Sequence, residues 1–284
     1  MRTKIKTIST YFMAVFNLAT GIITIISGIK SFTAKPIFIA GGTIFILIGC
    51  FFVGLIIYKI VKNNAKNMTE LSIGFDILTH NFEYECGRLK ELTSTVSNPE
   101  MFKKEILESS HNLILIIQRA IHNALNKNVR VCIKMFKDNS TENLFTYTRD
   151  TLSINQSYTK EHNETIEAKN NSDFSDIISG NLDIFIGENL KKLYKEKKYF
   201  NSHPDFHYQS TVVVPIRASD SNGDYINIGF LCVDSEEQAL FSKESTENCI
   251  SFIKGSAHII YILISQGNEY YNDIKEKAEV TANA

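Results

Sequence analysis

The sequence contains no tryptophan, only four prolines and no surplus of charge of either sign. Its 30 lysines and arginines are balanced by 31 aspartates and glutamates. Nucleic-acid binders present a basic surface and acidic disordered chains carry a large negative charge, so the balance argues against both classes. Hydrophobic residues make up 44% of the chain, which is enough for a packed core. We therefore expect a folded protein without a nucleic-acid partner.

The cysteines and the known catalytic motifs also exclude several classes of protein. There are five cysteines, an odd number, and none forms a CxxC pair. This pattern argues against a disulfide scaffold and a structural zinc ribbon, and it fits a reducing compartment. The chain lacks a GxSxG elbow, a GxxxxGK[ST] P-loop and an HExxH helix. We expect no enzymatic activity, no cofactor and no metal, and we interpret the His203–His207 cluster as a surface loop.

Two stretches without charged residues predict a transmembrane hairpin within residues 1–62. They cover residues 7–29 and 36–58, 23 residues each. A helix of that length spans about 34 Å, against roughly 30 Å for the hydrocarbon core of a bilayer. The alternative for the first stretch is a cleaved signal peptide. The hairpin makes the lipid bilayer a partner of this chain.

Basic residues at the ends of the two stretches predict the orientation of the hairpin. Three precede the first stretch and three follow the second, whereas the turn between them holds two: Arg2, Lys4, Lys6; Lys59, Lys62, Lys66; Lys30, Lys35. The positive-inside rule then places both termini in the cytoplasm. We expect a multi-pass protein of the cell inner (cytoplasmic) membrane.

Residues 63–98 are predicted to form a helical connector with a coiled-coil-like heptad pattern. Apolar residues alternate in steps of three and four, and Glu85 is the one polar break: Met68, Leu71, Phe75, Leu78, Phe82, Leu89, Leu92, Val96. The favoured interpretation is a parallel dimer stalk that carries signals from the domain to the membrane. The alternative is an amphipathic helix that packs on its own domain.

Residues 99–268 are predicted to form one α+β domain, followed by a flexible tail over residues 269–284. Helices are expected at 102–125, 173–178 and 242–265, with strands at 129–136, 144–149, 209–217 and 225–234. Both faces of the later strands are apolar, so we expect an antiparallel sheet flanked by helices. The segment 151–208 between the strand pairs is where a pocket could form.

The domain resembles the GAF family of small-molecule sensor domains over about residues 100–265. The resemblance lies in the order of elements and in three segments: Asn171–Phe174, Ser210–Arg217 and Gly229–Ser235, whose "PI" and "G-x-L-x-V-D" strands are similar to the family's paired core strands. It implies a ligand pocket, dimerisation and no catalysis by the domain. The motifs of the cyclic-nucleotide-binding and phytochrome-type members are absent, so the ligand is not implied.

The predicted ligand site combines aromatic, acidic and cationic residues near the ends of the core strands: Tyr147, Arg149, Asp173, Phe174, Tyr208, Thr211, Arg217. Guanidinium groups suit phosphates and carboxylates, so a nucleotide, including a cyclic nucleotide, is one candidate ligand. Surface ion pairs are the alternative for the two arginines. The sequence thus predicts a membrane-anchored cytoplasmic sensor, acting as a homodimer or higher homo-oligomer. Two alternatives remain open, a membrane-disrupting effector of bacterial antiphage defence gated by a nucleotide, and a passive scaffold.

Overall fold

The computed structural model describes residues 36–137, 140–151, 165–202, 206–219, 225–242 and 246–282, with side chains from Phe51 onward. It divides into two compact units, Met1–Ala65 and Lys66–Ala284. The first predicted membrane span, residues 7–29, lies outside the described residues. The second, residues 36–58, falls within helix α1, Pro36–Leu92.

The second unit contains a six-stranded sheet in which every pairing is antiparallel. Its strands are β1 Arg130–Phe136, β2 Asn143–Arg149, β3 Ile166–Glu167, β4 Phe185–Gly187, β5 Ser210–Ser219 and β6 Tyr225–Ser235. Their order across the sheet is β3-β2-β1-β6-β5-β4. The helices are α2 Pro99–Leu125, α3 Ser172–Ile178, α4 Leu190–Lys195 and α5 Glu247–Ala282. The α+β architecture predicted from the sequence is therefore present.

The sheet separates two hydrophobic cores because successive side chains of a strand point to opposite faces. The helix-side core contains Val131, Ile133, Leu231 and Val233 together with buried residues of α2 and α5. The insert-side core contains Cys132, Val213, Phe230 and Cys232 together with buried residues of the segment between β2 and β5: Ala168, Phe174, Ile177, Phe185, Leu190, Tyr199, Phe206. Both faces of the late strands are thus covered, as their apolar composition predicts.

Part of the heptad face of α1 packs within its own domain, which is the alternative to a dimer stalk. Leu71, Leu78 and Leu89 are only 6%, 0% and 1% exposed and belong to the helix-side core, whereas Met68 and Phe75 are 51% and 39% exposed. A Cβ at Gly74 would lie 2.4 Å from Cβ of Ala120 in α2, so the two helices are in close contact there. The three buried leucines are therefore not free to pair with a second copy, and the stalk stays a prediction. An apolar repeat gives the buried face of a helix but not its partner.

The polar break in that face, Glu85, also has a partner within the domain. It is 4% exposed and accepts hydrogen bonds from Ser109 Oγ at 2.8 Å and from Asn112 Nδ2 at 2.9 Å, both in α2. Arg88 Nε lies 2.8 Å from the same carboxylate. Burial raises the pKa of Glu85, but the hydrogen bonds from Asn112, Arg88 and Ser109 outweigh it, and the pKa is lowered. This network joins α1 to α2.

The C-terminal segment is helical, which corrects the expectation of a flexible tail over residues 269–284. Helix α5 extends to Ala282, and Ile274 is only 3% exposed within the helix-side core. Within the described residues, the stretch Glu247–Thr281 of α5 is long and apolar enough to cross a membrane, but 56% of its most apolar window is buried in the protein. Ile253, Ile260 and Leu263 are fully buried in the domain core. We therefore interpret α5 as a core helix.

Candidate functional site

The insert-side face of the sheet carries polar side chains in the middle of an apolar core. We define this face by the residues of β1, β5 and β6 that alternate toward the insert: Cys132, Lys134, Thr211, Val213, Phe230, Cys232, Asp234. The aromatic ring of Phe174 in α3 packs on Phe230 with ring centroids 4.9 Å apart. Tyr199 and Phe206 of the insert cover the same core, and their ring centroids lie 5.8 Å apart. The polar groups are therefore sequestered between sheet and insert.

Two carboxyl groups, those of Asp173 and Asp234, are buried at this face. Burial, together with the charge of Asp234, raises the pKa of Asp173 to about 7, and Lys134 opposes the rise. Burial also raises the pKa of Asp234, against the opposing effects of its hydrogen bond from Thr211 and of Lys134 and Arg149. The Oγ1 atom of Thr211 donates to Asp234 Oδ1 at 2.5 Å. Asp173 therefore keeps its proton to a higher pH than an exposed aspartate does, and the protonated form gives the site a carboxylic acid donor.

Two tyrosines and an asparagine connect these carboxyl groups to the insert. Asn201 Nδ2 donates to the hydroxyl oxygens of Tyr199 at 3.0 Å and Tyr208 at 2.7 Å. The hydroxyl of Tyr199 lies 3.5 Å from Asp173 Oδ2. Burial raises the pKa of both tyrosines well above the usual value of 10.0. Both hydroxyls are therefore neutral and able to donate a hydrogen bond.

The cationic groups of the site are Lys134 and Arg149. Arg149 lies directly opposite Cys132 in the β1–β2 pairing, and its Nη2 atom donates to Thr146 Oγ1 at 3.1 Å. Its Nε atom is buried and has no hydrogen-bond partner among the residues that the structure describes. A buried donor without a partner is destabilising by about 1–3 kcal/mol. Such a donor, on the same face of the sheet as the buried carboxyl groups, is available to a bound molecule.

The structure brings together five of the seven residues in the predicted site. Asp173, Phe174, Tyr208, Thr211 and Arg149 all lie on or against the insert-side face.

Tyr147 lies on the opposite face of the sheet. It packs against the helix-side core and hydrogen-bonds with Ser110 of α2, and burial raises its pKa to about 12. An irregularity in the β1–β2 pairing between Ile133 and Lys134 breaks the alternation of β2, which is why Tyr147 and Arg149 do not share a face.

Arg217 lies far from the buried carboxyl groups. Its Nη2 atom is 3.3 Å from Asp183 Oδ1, and its guanidinium carbon lies 4.2 Å from the ring centroid of Tyr225. Arg149 pairs with Cys132 and Arg217 with Asn227, so the two arginines lie three strands apart and several residues along the sheet. Strand spacings of about 4.8 Å and residue steps of about 3.3 Å put them roughly 20 Å apart. One small ligand does not reach both guanidinium groups.

Four residues of the insert-side face were not predicted as site residues from the sequence: Lys134, Asp234, Cys132 and Cys232. Asp234 faces the insert-side core, where it accepts a hydrogen bond from Thr211. The sequence alone places Phe230, Cys232 and Asp234 on one face of β6, because alternate residues of a strand share a face. Alternation does not show which of the two faces of the sheet the polar insert covers. No group of three metal-ligating residues occurs among the described residues, and His203, Pro204 and Asp205 lie outside them.

A surface groove of about 480 Å³ lies elsewhere on the domain. It is lined by the segment that follows α1 and by the end of α5: Thr93, Ser94, Thr95, Val96, Ser97, Ile274, Lys277, Ala278, Thr281. It shares no residue with the insert-side face. Its lining carries hydroxyl groups and one lysine but no buried charge, so it offers less for specific recognition.

No family model matches the chain, and no curated protein does. Among solved structures, the chain is similar to the type II free methionine-R-sulfoxide reductase of Thermoplasma acidophilum, with 18% identity and a TM-score of 0.38 over 56% of this chain and 96% of that one.

It is also similar to the GAF domain of the Acinetobacter phosphoenolpyruvate-protein phosphotransferase, with 13% identity and a TM-score of 0.42 over 68% of this chain and 95% of that one. A putative GAF sensor protein of Burkholderia vietnamiensis has 10% identity and a TM-score of 0.33, over 63% and 92%. These identities and scores carry no inference about ligand or activity. The antiparallel sheet flanked by helices is the α+β architecture that the sequence predicts.

Proposed function

We propose that this chain is a membrane-anchored sensor whose small-molecule ligand binds at the insert-side face. The observation that carries the proposal is the buried Nε atom of Arg149, which has no hydrogen-bond partner among the described residues and lies on the same face of the sheet as the buried carboxyl groups of Asp173 and Asp234. A core that served packing alone would gain stability by replacing these groups with apolar ones. Retaining them suits a domain that exchanges its internal hydrogen bonds for those of a ligand.

The charges at the face favour a small ligand that carries groups of both signs. Arg149 and Lys134 suit a carboxylate or phosphate, whereas Asp173 and Asp234 suit an ammonium or other donor. A purely anionic nucleotide would meet two cationic groups, Arg149 and Lys134, but also two buried carboxyl groups, and Arg217 lies too far away to add a third cation. We therefore place zwitterions ahead of nucleotides in this proposal.

The membrane anchor is the second part of the proposal. In the first unit, Phe51, Phe52, Ile56 and Ile60 are 54–64% exposed. Clustered apolar side chains at this exposure are costly in water and suited to a lipid environment. The two charge-free stretches at 7–29 and 36–58 support the same proposal. Resistance of the full chain to extraction from membranes at alkaline pH would support it, and release into the supernatant would contradict it.

Signal output is proposed to pass through α1. Residues of α1 from Lys66 onward belong to the helix-side core, which lies against the other face of the strands that carry the ligand site. Residues alternate along β6 between the two cores, so a shift of Asp234 on one face moves Val233 on the other. The oligomer predicted from the sequence stays a prediction, and its interface is expected outside the buried α1 seam.

Thermal-shift measurement on residues 66–284 tests the ligand site. The probes are a panel of amino acids and short peptides as zwitterions, and of nucleotides and cyclic dinucleotides as anions. A ligand at a hundredfold excess over Kd stabilises the folded state by about 2.7 kcal/mol, a readily measured shift. The shift should disappear in Arg149→Met and persist in the matched variant Arg217→Met. A shift that survives Arg149→Met but is lost in Arg217→Met would place the ligand elsewhere.

A further inference from the structure

We propose that Cys132 and Cys232 form a reversible disulfide across β1 and β6 when the protein meets a hydroperoxide, which makes the insert-side core sensitive to oxidants. The proposal does not depend on the ligand site described above. It rests on the register of two central strands and on the contact between two buried thiols.

The two cysteines are direct partners in the antiparallel pairing of β1 with β6. Both belong to the insert-side core and are 8% and 3% exposed. Each thiol shifts the pKa of the other, so the two sulfur atoms lie close together. Both are free in this structure. Two thiols on one face, in contact and at the same register position, are the arrangement that a disulfide needs.

Backbone hydrogen bonds show whether Cys132 and Cys232 form a hydrogen-bonded or a non-hydrogen-bonded antiparallel pair. The N–H of Val131 donates to Asp150 Oδ2 at 2.5 Å, and the carbonyl of Val131 accepts from the N–H of Asp150 at 2.9 Å. The peptide groups of Val131 therefore point toward β2, and those of the next residue, Cys132, point toward β6. The N–H of Gln209 donates to the carbonyl of Ser235, which points Ser235 toward β5 and Cys232 toward β1. Cys132 and Cys232 thus form a hydrogen-bonded antiparallel pair.

This geometry permits a disulfide but strains it. The Cα atoms of a hydrogen-bonded antiparallel pair lie about 5.5 Å apart, within the range of 4.4–6.8 Å that disulfides use. Their Cβ atoms lie up to about 5.5 Å apart, whereas a disulfide needs about 3.8 Å. The strands must therefore approach each other locally when the bond forms. Strained disulfides are more readily reduced, and this is the property of a switch rather than of a permanent cross-link.

The first nucleophile in this pair is Cys132. Its hydrogen bond from Cys232 lowers the pKa of Cys132 against the opposing effect of burial, and Lys134 and Arg149 lower it further while Asp234 raises it. The thiolate is the form that attacks peroxide. By contrast, burial raises the pKa of Cys249 to about 12, so that thiol stays protonated and inert.

The reaction balances with hydrogen peroxide as the oxidant. The thiolate of Cys132 attacks one peroxide oxygen, the O–O bond breaks, and a sulfenic acid forms while hydroxide leaves and takes up a proton as water. The sulfur of Cys232 then attacks the sulfenic sulfur and gives up its proton, the S–O bond breaks, and a second water leaves. Two thiols lose two electrons and two protons in total, and the peroxide is reduced to two waters. A dithiol reverses the bond by exchange.

Alkylation and intact-mass measurement on the full chain in detergent test the proposal. The reduced protein, denatured and treated with N-ethylmaleimide, should take up five labels, one for each cysteine. After hydrogen peroxide it should take up three, and dithiothreitol should restore five. Proteolysis of the oxidised wild-type protein should yield one linked peptide pair, containing Cys132 and Cys232. That mapping needs no variant and so does not depend on how a variant folds.

Matched variants separate this pair from the other cysteines. Cys132→Ser should keep all four remaining thiols after peroxide, and Cys249→Ser should fall from four labels to two. Cys232→Ser should form no disulfide and fall from four labels to three, because the sulfenic acid of Cys132 then has no thiol to attack it. Five labels on the wild-type protein after peroxide would overturn the proposal. It would also be overturned by a linked peptide that contains Cys50, Cys86 or Cys249, or by oxidation that dithiothreitol does not reverse.

Discussion

Alanine at two glycines of α1 should change stability in opposite directions. An added Cβ at Gly74 would lie 2.4 Å from the Cβ of Ala120 in α2 and 3.8 Å from Phe252 Cε2 in α5. An added Cβ at Gly87 meets nothing within 4 Å. The two positions lie in the same helix, 13 residues apart, so the helical preference of alanine over glycine is common to both.

The size of the difference follows from these distances. Carbon atoms in contact lie about 3.5–4.0 Å apart, so Gly74→Ala forces α1 and α2 apart by roughly 1 Å. Overpacking of this kind costs typically about 1–3 kcal/mol. Alanine regains about 1 kcal/mol through helix propensity. We expect Gly74→Ala to lose up to about 2 kcal/mol net, and Gly87→Ala to gain up to about 1 kcal/mol.

Urea unfolding of residues 66–284, followed by far-UV circular dichroism, measures both values. The midpoint should move in opposite directions at an unchanged slope, because the slope reports the surface exposed on unfolding. In a thermal melt, about 1 kcal/mol corresponds to roughly 2–4 °C for a domain of this size. If Gly74→Ala were as stable as Gly87→Ala, α1 would not pack on α2 at Ala120. The apolar face of α1 would then be free for the dimer stalk that the heptad pattern predicts.

Three further substitutions probe the polar groups of the domain. Glu85→Ala should lower the free energy of unfolding by about 3 kcal/mol, because it leaves buried donors without an acceptor. The matched control Glu83→Ala, at an exposed position of the same helix, should change it by no more than about 0.5 kcal/mol. Urea unfolding curves of the two variants test this. Burial raises the pKa of Asp173 to about 7, above its ordinary 3.8, so the folded state holds a proton that the unfolded state has lost between these values. Stability should therefore fall as pH rises from about 4 to 7, by up to about 4 kcal/mol, and then level off. Asp173→Asn should remove that decline in unfolding curves across this pH range, and a decline as steep as in the wild type would contradict the assignment. Arg217→Met should change stability by less than about 1 kcal/mol, because Asp183 is mostly exposed; a larger loss in a thermal melt would show a structural role for this pair.

The four long strands were predictable to within about two residues because their apolar runs are bounded by polar turns. The strands β3 and β4 were not, because they have two and three residues and no pattern that distinguishes them from loop. A short strand of this kind forms because an edge of the sheet is available to it, which is a property of the tertiary structure. Strand β4, for example, pairs Phe185 with Val213 at the edge of β5.

The candidate site was predictable where it depends on residue type and failed where it depends on register. Asp173 and Thr211, which both stand in segments that carry the family resemblance, are buried in the structure. Tyr147 was grouped with Arg149 because an aromatic and a cationic residue near a strand end suit one pocket. An irregularity in the pairing of β1 with β2 puts Tyr147 and Arg149 on opposite faces of the sheet. Because this irregularity involves no glycine, nothing in the sequence indicates it.

The heptad pattern of α1 shows the same limit at the level of domains. An apolar stripe indicates that a helix buries one face, and here the buried face meets α2 and α5 rather than a second copy. Small residues at the contact, Gly74 and Ala120, permit the close approach of the two helices. The polar residue in the stripe, Glu85, accepts hydrogen bonds from side chains of α2. It therefore does not serve to fix the register of a coiled coil.

The α+β domain therefore includes the part of α1 that packs on it and does not begin at residue 99, where the sequence predicts its boundary. A fragment that begins at residue 98 loses Leu71, Leu78 and Leu89 from the helix-side core. Burying one leucine contributes about 1.5–3 kcal/mol, so the loss is roughly 5–9 kcal/mol against a total stability of about 5–15 kcal/mol for a typical domain. We expect residues 66–284 to unfold in one cooperative urea transition, and residues 98–284 to show a weak transition or none. A fragment 98–284 that unfolds cooperatively, within about 2 kcal/mol of the longer one, would contradict this. It would return residues 63–98 to the role of a separate stalk, because α1 would then add nothing to the core that supports the ligand site.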